Sequence, residues 1–93
     1  MKCFIYVLID PDTNEIRYVG KTLDINSRLY KHIYDSKLKK YYIQRWINQL
    51  VENGKKPKIE VVQEVDDAHW IECEVYWISY FKSIGCSLTN GVS

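Results

Sequence analysis

The sequence predicts a small α+β domain in which one three-stranded antiparallel sheet packs with three helices, in the chain order ββααβα. Two short apolar runs at residues 3–9 and 16–20 flank a turn rich in Asp, Pro and Asn, which is typical of a β-hairpin. Three later segments repeat apolar residues at helical spacing, and residues 58–65 have the composition of a strand. Because three strands make only a small sheet, its apolar surface has to be buried against the helices.

The first helix is predicted to begin after Asp24, a good N-cap residue, and to end near Tyr34. Ile25, Leu29 and Ile33 recur every four residues and give this helix one apolar stripe.

The second helix is predicted from about Tyr41 to Asn53, before Gly54, which suits the left-handed conformation at a helix end. Its apolar residues match the amphipathic helix template and are Ile43, Trp46, Ile47, Leu50 and Val51.

The third strand is expected to place Ile59, Val61 and Val65 on one face and to pair with the first strand, which gives the sheet order 2-1-3. The third helix is predicted from about Ala68 to Ser83, with an N-cap supplied by Asp66 or Asp67 and an end at Gly85.

Composition indicates one globular domain spanning residues 1–93, since 46% of residues are hydrophobic and 27% are charged. No apolar run approaches the roughly 18 residues that a membrane span needs, and Met1-Lys2-Cys3 does not begin a signal-peptide pattern. The three cysteines, Cys3, Cys73 and Cys86, are odd in number and lack CxxC spacing. They argue against a disulfide framework or a zinc site, and predict an intracellular, cytoplasmic and reducing compartment.

Charge is distributed unevenly along the chain, although the net charge is only +1. Residues 1–58 contain 12 Lys and Arg against six acidic residues, whereas residues 59–93 contain Lys82 alone against six acidic residues. Such a division suits a protein that holds a polyanion on one side and a cation on the other, but it is also compatible with an ordinary solvated surface.

Glu74 is the residue of the third helix that the apolar pattern marks out. Its neighbours three and four positions away, Trp70, Ile71, Trp77 and Ile78, are all apolar. An ionised carboxylate on such a face is costly unless it is paired, so Glu74 is expected to have a cation partner, to be protonated or to reach solvent. The partner can be a basic side chain or a hard divalent ion such as Mg²⁺.

Arg28 and His32 lie four positions apart in the first helix, so their side chains point to one place. Arg can grip a phosphate through two parallel hydrogen bonds, and His can accept or relay a proton near neutral pH. Lys21 can contact a phosphate as a point charge, and Gly20 before it allows a sharp turn or the close approach of a ligand. Taken singly, each of these features is more often part of a solvated surface.

Tyr6 and Tyr18 stand in the two strands of the predicted hairpin, where their spacing favours a cross-strand pair. Aromatic residues are common in strands and the chain has eight tyrosines, so the pair alone does not indicate a site. Asn90 is of a residue type common in turns. These residues become informative through their order along the chain.

That order resembles the GIY-YIG nuclease family, which is named after two tripeptides on a hairpin. Here they are matched by Phe-Ile-Tyr at residues 4–6 and Tyr-Val-Gly at residues 18–20. Phe4 replaces the first glycine, which we expect to do little harm because a strand tolerates Phe better than Gly. The resemblance covers almost the whole chain, and the single residues that match the family pattern are Arg28, His32, Glu74 and Asn90.

The resemblance implies a metal-dependent endonuclease that hydrolyses DNA phosphodiester bonds with one divalent ion, Mg²⁺ or Mn²⁺. Glu74 is then the only protein ligand of the metal, and Tyr6 is the candidate base for the attacking water. Nearby cations are expected to favour the phenolate of Tyr6, whose usual pKa is about 10. Whether the proton finally goes to Tyr6, Tyr18 or His32 stays open. The resemblance also implies that Tyr18 orients the water or the phosphate and that His32 takes a proton. Arg28 and Lys21 are then expected to stabilise charge, and Gly20 and Lys21 to contact the substrate. Asn90 is expected to hold the tail, residues 86–91, against the site.

Two alternatives remain beside the nuclease. One is a non-catalytic nucleic-acid-binding module of the same fold, although a degenerate member is expected to lose Glu74 or Arg28 first. The other is a small protein-interaction domain that uses exposed aromatic residues. The expected partner is DNA rather than a membrane, and an additional DNA-binding domain or partner protein is expected to supply targeting unless the chain is a fragment. The biological task, such as DNA repair or the movement of a mobile element, stays open.

Overall fold

The computed structural model describes residues 2–90, and within them the predicted order ββααβα and the antiparallel sheet order 2-1-3 are confirmed. Met1 and residues 91–93 of the predicted domain lie outside the described residues. Within this part of the chain, no helix combines the length and the apolar character that a membrane span requires. The elements are β1 (Lys2–Ile9), β2 (Ile16–Thr22), α1 (Ile25–Asp35), a short 3-10 helix (Ser36–Leu38), α2 (Tyr42–Glu52), β3 (Lys58–Asp66) and α3 (Trp70–Ser83).

The hairpin of β1 and β2 is closed by the turn that the sequence predicts. The carboxylate of Asp10 accepts hydrogen bonds from the main-chain N–H of Asp12 at 2.8 Å and of Thr13 at 3.2 Å. Asn14 adopts the left-handed region with φ of 60°, which Asn tolerates better than most residues. The turn chemistry therefore sets where the two strands separate.

The register of the hairpin makes the two tyrosines diagonal neighbours on one face of the sheet. Tyr6 stands opposite Gly20, and Leu8 stands opposite Tyr18. β2 runs beyond its predicted end at Gly20 to Thr22. The diagonal arrangement places the glycine, rather than a second ring, directly across from Tyr6.

Helices cover both faces of the sheet. α1 and α2 pack on the face that carries Tyr6 and Leu8, and α3 packs on the opposite face, over Ile5 and Val7. Val51, the last member of the stripe predicted for α2, is exposed. The other predicted stripe residues do pack against this core, and they are Ile25, Leu29 and Ile33 of α1 and Ile43, Trp46, Ile47 and Leu50 of α2.

The prediction that Ile59, Val61 and Val65 share one face of β3 is wrong. An irregularity in the pairing of β3 with β1 leaves Val62 as an extra residue. Such a bulge interrupts the alternation of faces along a strand. Ile59 consequently packs with the α1 and α2 layer, whereas Val65 belongs to the core beneath α3.

The predicted N-cap of the third helix is also wrong. α3 begins at Trp70 rather than Ala68, and neither Asp66 nor Asp67 is its N-cap residue. Asp66 instead ends β3, and its carbonyl accepts the N–H of His69, the residue that precedes the helix. Asp66 therefore pairs in the sheet, although Asp is a residue type that favours helix N-caps.

Candidate active site

The hydroxyl group of Tyr6 is held between two side chains of α1. Arg28 donates a hydrogen bond from Nε to Oη of Tyr6 at 3.0 Å, and the same oxygen lies 2.6 Å from Nε2 of His32. Because Arg can only donate, Tyr6 accepts from Arg28, and its own proton is available to an unprotonated Nε2 of His32. Three residues from two elements thus form one hydrogen-bonded chain.

α1 presents both side chains to the sheet because its start is fixed. The carboxylate of Asp24 accepts the N–H of Asn26 at 3.0 Å and the hydroxyl of Ser27 at 3.0 Å, which confirms the predicted N-cap. Arg28 and His32 follow one helical turn apart, so both reach the same tyrosine.

Gly20 is required by the tyrosine rings. A Cβ atom at this position would lie 2.5 Å from Oη of Tyr6 and 2.7 Å from Cε2 of Tyr18, which is too close for any side chain. Gly20 lies inside β2 and does not adopt a positive φ, so it makes no sharp turn. The ring centroid of Tyr18 lies 6.2 Å from that of Tyr6 and 5.3 Å from that of His32. We call these three rings the tyrosine cluster.

Burial keeps the tyrosine cluster uncharged at neutral pH. Burial, followed by the neighbouring Tyr18, raises the pKa of Tyr6 well above its usual range despite the hydrogen bond from Arg28. Burial also raises the pKa of Tyr18. Burial and the positive charge of Arg28 lower the pKa of His32 to about 4. Arg28 lowers the pKa of Tyr6, as expected of a nearby cation, but desolvation outweighs this effect and the net shift disfavours the phenolate.

Glu74 acts on the tyrosine cluster from α3. It is half-buried, and its negative charge raises the pKa of both Tyr6 and Tyr18. Burial raises the pKa of Glu74 itself, and the positive charge of Lys21 lowers it. Nζ of Lys21 lies 4.6 Å from the ring centroid of Trp70, so this core tryptophan also orients the lysine, which sequence reasoning missed.

A family model described as the GIY-YIG catalytic domain matches residues 2–87. The chain belongs to the GIY-YIG family. Domains of this family are generally nucleases, and they typically use divalent metal ions. A nuclease domain implies DNA as the substrate. No curated protein and no solved structure matches the chain significantly.

The one departure from the GIY-YIG name in the first tripeptide leaves the strand intact. Phe4, which stands where the first glycine is expected, pairs with Thr22 of β2 and Glu64 of β3. β1 continues through this position to Tyr6 without an irregularity in its pairing with β2. The substitution therefore does not displace the first tyrosine.

The acidic side chains of this GIY-YIG domain suit one hydrated divalent ion. Within residues 2–90, no three His, Cys, Asp or Glu side chains are grouped so that they could hold a metal. Zn²⁺ usually takes three or four protein ligands, whereas Mg²⁺ and Mn²⁺ accept a single carboxylate and keep several waters. Glu74 offers such a carboxylate. Burial raises the pKa of Glu74 and the positive charge of Lys21 lowers it, so burial disfavours its charged form and a neighbouring cation favours it.

The tail of the GIY-YIG domain pairs with the outer edge of β2. Oδ1 of Asn90 accepts the N–H of Val19 at 2.9 Å, and Nδ2 of Asn90 donates to the carbonyl of Val19 at 2.7 Å. Thr89 donates both its N–H, at 2.6 Å, and its hydroxyl, at 2.7 Å, to the carbonyl of Arg17. Asn90 therefore fixes the main chain between the second tyrosine and the glycine, as a positioning residue. No periodic pattern in the tail signals this pairing.

Proposed function

We propose that this chain is a divalent-metal-dependent endonuclease that cleaves DNA by attack of water on a phosphodiester bond. The observation that carries the proposal is the hydroxyl of Tyr6 held between Nε of Arg28 and Nε2 of His32. It joins a group that can move a proton to a group that can bind an anion, and hydrolysis of a phosphodiester needs both. The proposed site consists of Tyr6, Tyr18, Gly20, Lys21, Arg28, His32, Glu74 and Asn90.

Tyr6, whose side chain is fully buried in the structure, relays a proton in this mechanism once a water reaches its hydroxyl. As water attacks phosphorus and the bond from phosphorus to the leaving 3′ oxygen breaks, a proton of the water passes to Oη of Tyr6 while the hydroxyl proton of Tyr6 passes to Nε2 of His32. The 3′ oxygen leaves as an alkoxide and takes a proton from solvent. The pKa of His32, about 4, keeps this nitrogen free to accept at neutral pH. The negative charge of a bound phosphate strengthens it as an acceptor. A positioned acid–base group of this kind contributes about a hundred- to ten-thousand-fold in rate.

Positive charge faces the phosphate in the same mechanism. Arg28 has further N–H donors on its Nη atoms, which bind the phosphate oxygens as their negative charge grows. Lys21, oriented by Trp70, adds a second positive charge, and Tyr18 orients the water or the phosphate. Glu74 holds Mg²⁺ or Mn²⁺, which when bound polarises the phosphate and stabilises the leaving oxygen.

Nicking of supercoiled plasmid tests the proposal. The chain is incubated with Mg²⁺, with Mn²⁺ or with EDTA, beside Glu74→Ala and the control Glu72→Ala, which removes an exposed carboxylate of the same helix. We expect metal-dependent nicking by the wild type and by Glu72→Ala, and none by Glu74→Ala. Unchanged cutting by Glu74→Ala would contradict the metal assignment. Salt-sensitive retention of DNA without cutting would instead indicate a non-catalytic binding module.

A further inference from the structure

A cleft of about 460 Å³ opens beside β2, outside the tyrosine cluster. Its size lies in the range of small-ligand sites. The described residues that line it include none of those proposed for the active site. They are Arg17 of β2, Tyr42, Arg45, Trp46 and Gln49 of α2, and Ser87, Leu88 and Thr89 of the tail.

Both arginines of the cleft are held in place by a main-chain carbonyl and an aromatic ring. Nε of Arg17 donates to the carbonyl of Ser87 at 2.8 Å, and its guanidinium lies 5.5 Å from the ring centroid of Trp46. Nη1 of Arg45 donates to two carbonyls of the loop before α2, at 3.3 and 3.4 Å, and its guanidinium lies 4.9 Å from the ring centroid of Tyr42. Such preorganised guanidinium groups lose little entropy on binding an anion.

The charge of the cleft selects an anionic ligand. The described residues that line it include two guanidinium groups and no carboxylate, so its lining is positively charged and attracts anions. A neighbouring pocket of about 270 Å³ shares Arg17, Trp46 and Gln49 with the cleft and also contains Asp10 and Asp12. Oδ2 of Asp10 accepts a hydrogen bond from Nε1 of Trp46 at 3.3 Å. The ring of Tyr42 is 49% exposed. Exposed aromatic rings and guanidinium planes are the surfaces on which unpaired bases stack.

We propose that this cleft binds one unpaired nucleotide of the DNA strand that passes the active site, with its phosphate between Arg17 and Arg45 and its base against Tyr42. Arg17 directly precedes Tyr18 in β2, and the tail residues of the cleft directly precede Asn90, so cleft and active site share two segments. A paired base would first have to leave its stack to enter. The proposal rests on the proposed function, and it gives the nuclease a preference for DNA with a single-stranded segment beside the cut.

Binding in EDTA, which prevents cleavage, tests the cleft. Fluorescence anisotropy compares an oligothymidylate of about eight nucleotides with a blunt duplex of the same length. Gln49→Glu adds a carboxylate to the cleft with almost no change of shape, and Tyr42→Ala removes the exposed ring. Ser79→Asp is the control, since it adds the same charge at an exposed position of α3.

We expect Gln49→Glu and Tyr42→Ala to weaken single-strand binding by about fivefold or more, and duplex binding by less than about twofold. Ser79→Asp should leave both unchanged. Equal loss of single-strand and duplex binding, no loss, or no single-strand binding by the wild type would overturn the proposal. An acidic peptide of equal charge that competes as well as the oligonucleotide would overturn it too, because it has no base to stack. Failure of the proposed function is seen separately, as absence of metal-dependent nicking.

Discussion

His32 is neutral at pH 7 because burial and the charge of Arg28 lower its pKa from 6.5 to about 4. The unfolded chain takes up a proton on this residue near pH 6.5, so between that pH and about pH 4 it binds more protons than the folded chain. The contribution of His32 to stability is therefore present at higher pH and is lost as pH falls through this window. The full shift corresponds to at most about 3 kcal/mol of unfolding free energy.

We expect His32→Gln to flatten the pH dependence of the unfolding free energy across this window. Gln keeps an acceptor for the hydroxyl of Tyr6 but does not titrate. Asp10, with a lowered pKa, and Glu74, with a raised pKa, act with opposite signs and are present in both proteins, so the difference isolates His32. Urea denaturation at neutral and acid pH measures the effect. An equal loss of stability in both proteins would show that His32 does not titrate in this way.

Gly20→Ala tests how tightly the tyrosine cluster is packed against β2. The added methyl group would lie 2.5 Å from Oη of Tyr6, so the ring has to move away from Arg28 and His32. We expect a loss of about 1–3 kcal/mol in stability, as in other overpacked cores, together with loss of nicking. Thermal denaturation and plasmid nicking measure the two effects.

Gly54→Ala is the matched control for this substitution. Gly54 has φ of 72°, so Ala strains the loop after α2, but no atom lies within 4 Å of the added methyl group. We expect this variant to lose stability and to keep nicking when folded. Retained nicking by a folded Gly20→Ala would contradict the packing argument.

The tail packs against an element of the sheet, because hydrogen bonds from Thr89 and Asn90 occupy the outer edge of β2. Asn90→Ala removes an acceptor from the N–H of Val19, whereas Asn90→Asp keeps that acceptor, loses the donor to the carbonyl of Val19 and adds a negative charge. We expect amide exchange at Val19 to become about fivefold faster in Asn90→Ala and to change less in Asn90→Asp. Hydrogen exchange followed by NMR measures both variants. Unchanged exchange in Asn90→Ala would show that the tail does not protect the edge.

The elements that the sequence predicts are those with strong local signals. The Asp-rich turn, the cap at Asp24 and the apolar stripes of α1 and α2 act over a few residues, and the structure contains them. The bulge at Val62 and the extension of β3 through Asp66 depend on pairing with β1, which is distant in sequence. The tail pairing depends on Val19, 71 residues from Asn90, and no local pattern predicts it.

In the site, too, features that depend on residues distant in sequence are harder to predict than features that depend on local spacing. The four-residue spacing of Arg28 and His32 predicts that their side chains point to one place, and the family resemblance marks both as site residues. The structure brings both to Tyr6. The protonation state of Tyr6 is not predictable in this way, because it depends on burial against residues from several elements. The function of Gly20 likewise depends on the ring opposite it in the sheet.

In the folded molecule, the basic part of the sequence forms two strands and the helices on one face of the sheet, and the acidic part forms most of the third strand and the helix on the other face. Residues 1–58, with 12 Lys and Arg against six acidic residues, build β1, β2 and the helices over Tyr6. Residues 59–93, with Lys82 alone against six acidic residues, include β3 and α3. Such a division suits the attraction of a polyanion to the layer of α1 and α2, while Glu74, the residue proposed to hold the metal, belongs to α3.

In the proposed mechanism, the hydroxyl of Tyr6, between Arg28 and His32, takes the proton of the attacking water. The rate of Mg²⁺-dependent plasmid nicking by Tyr6→Phe tests it most directly, with circular dichroism to confirm that the variant is folded. Phe keeps the ring and removes only the hydroxyl, so we expect a folded protein, destabilised by about 1–3 kcal/mol through the unpaired His32, that nicks at least about a hundredfold more slowly. Nicking by folded Tyr6→Phe at the wild-type rate would contradict the claim.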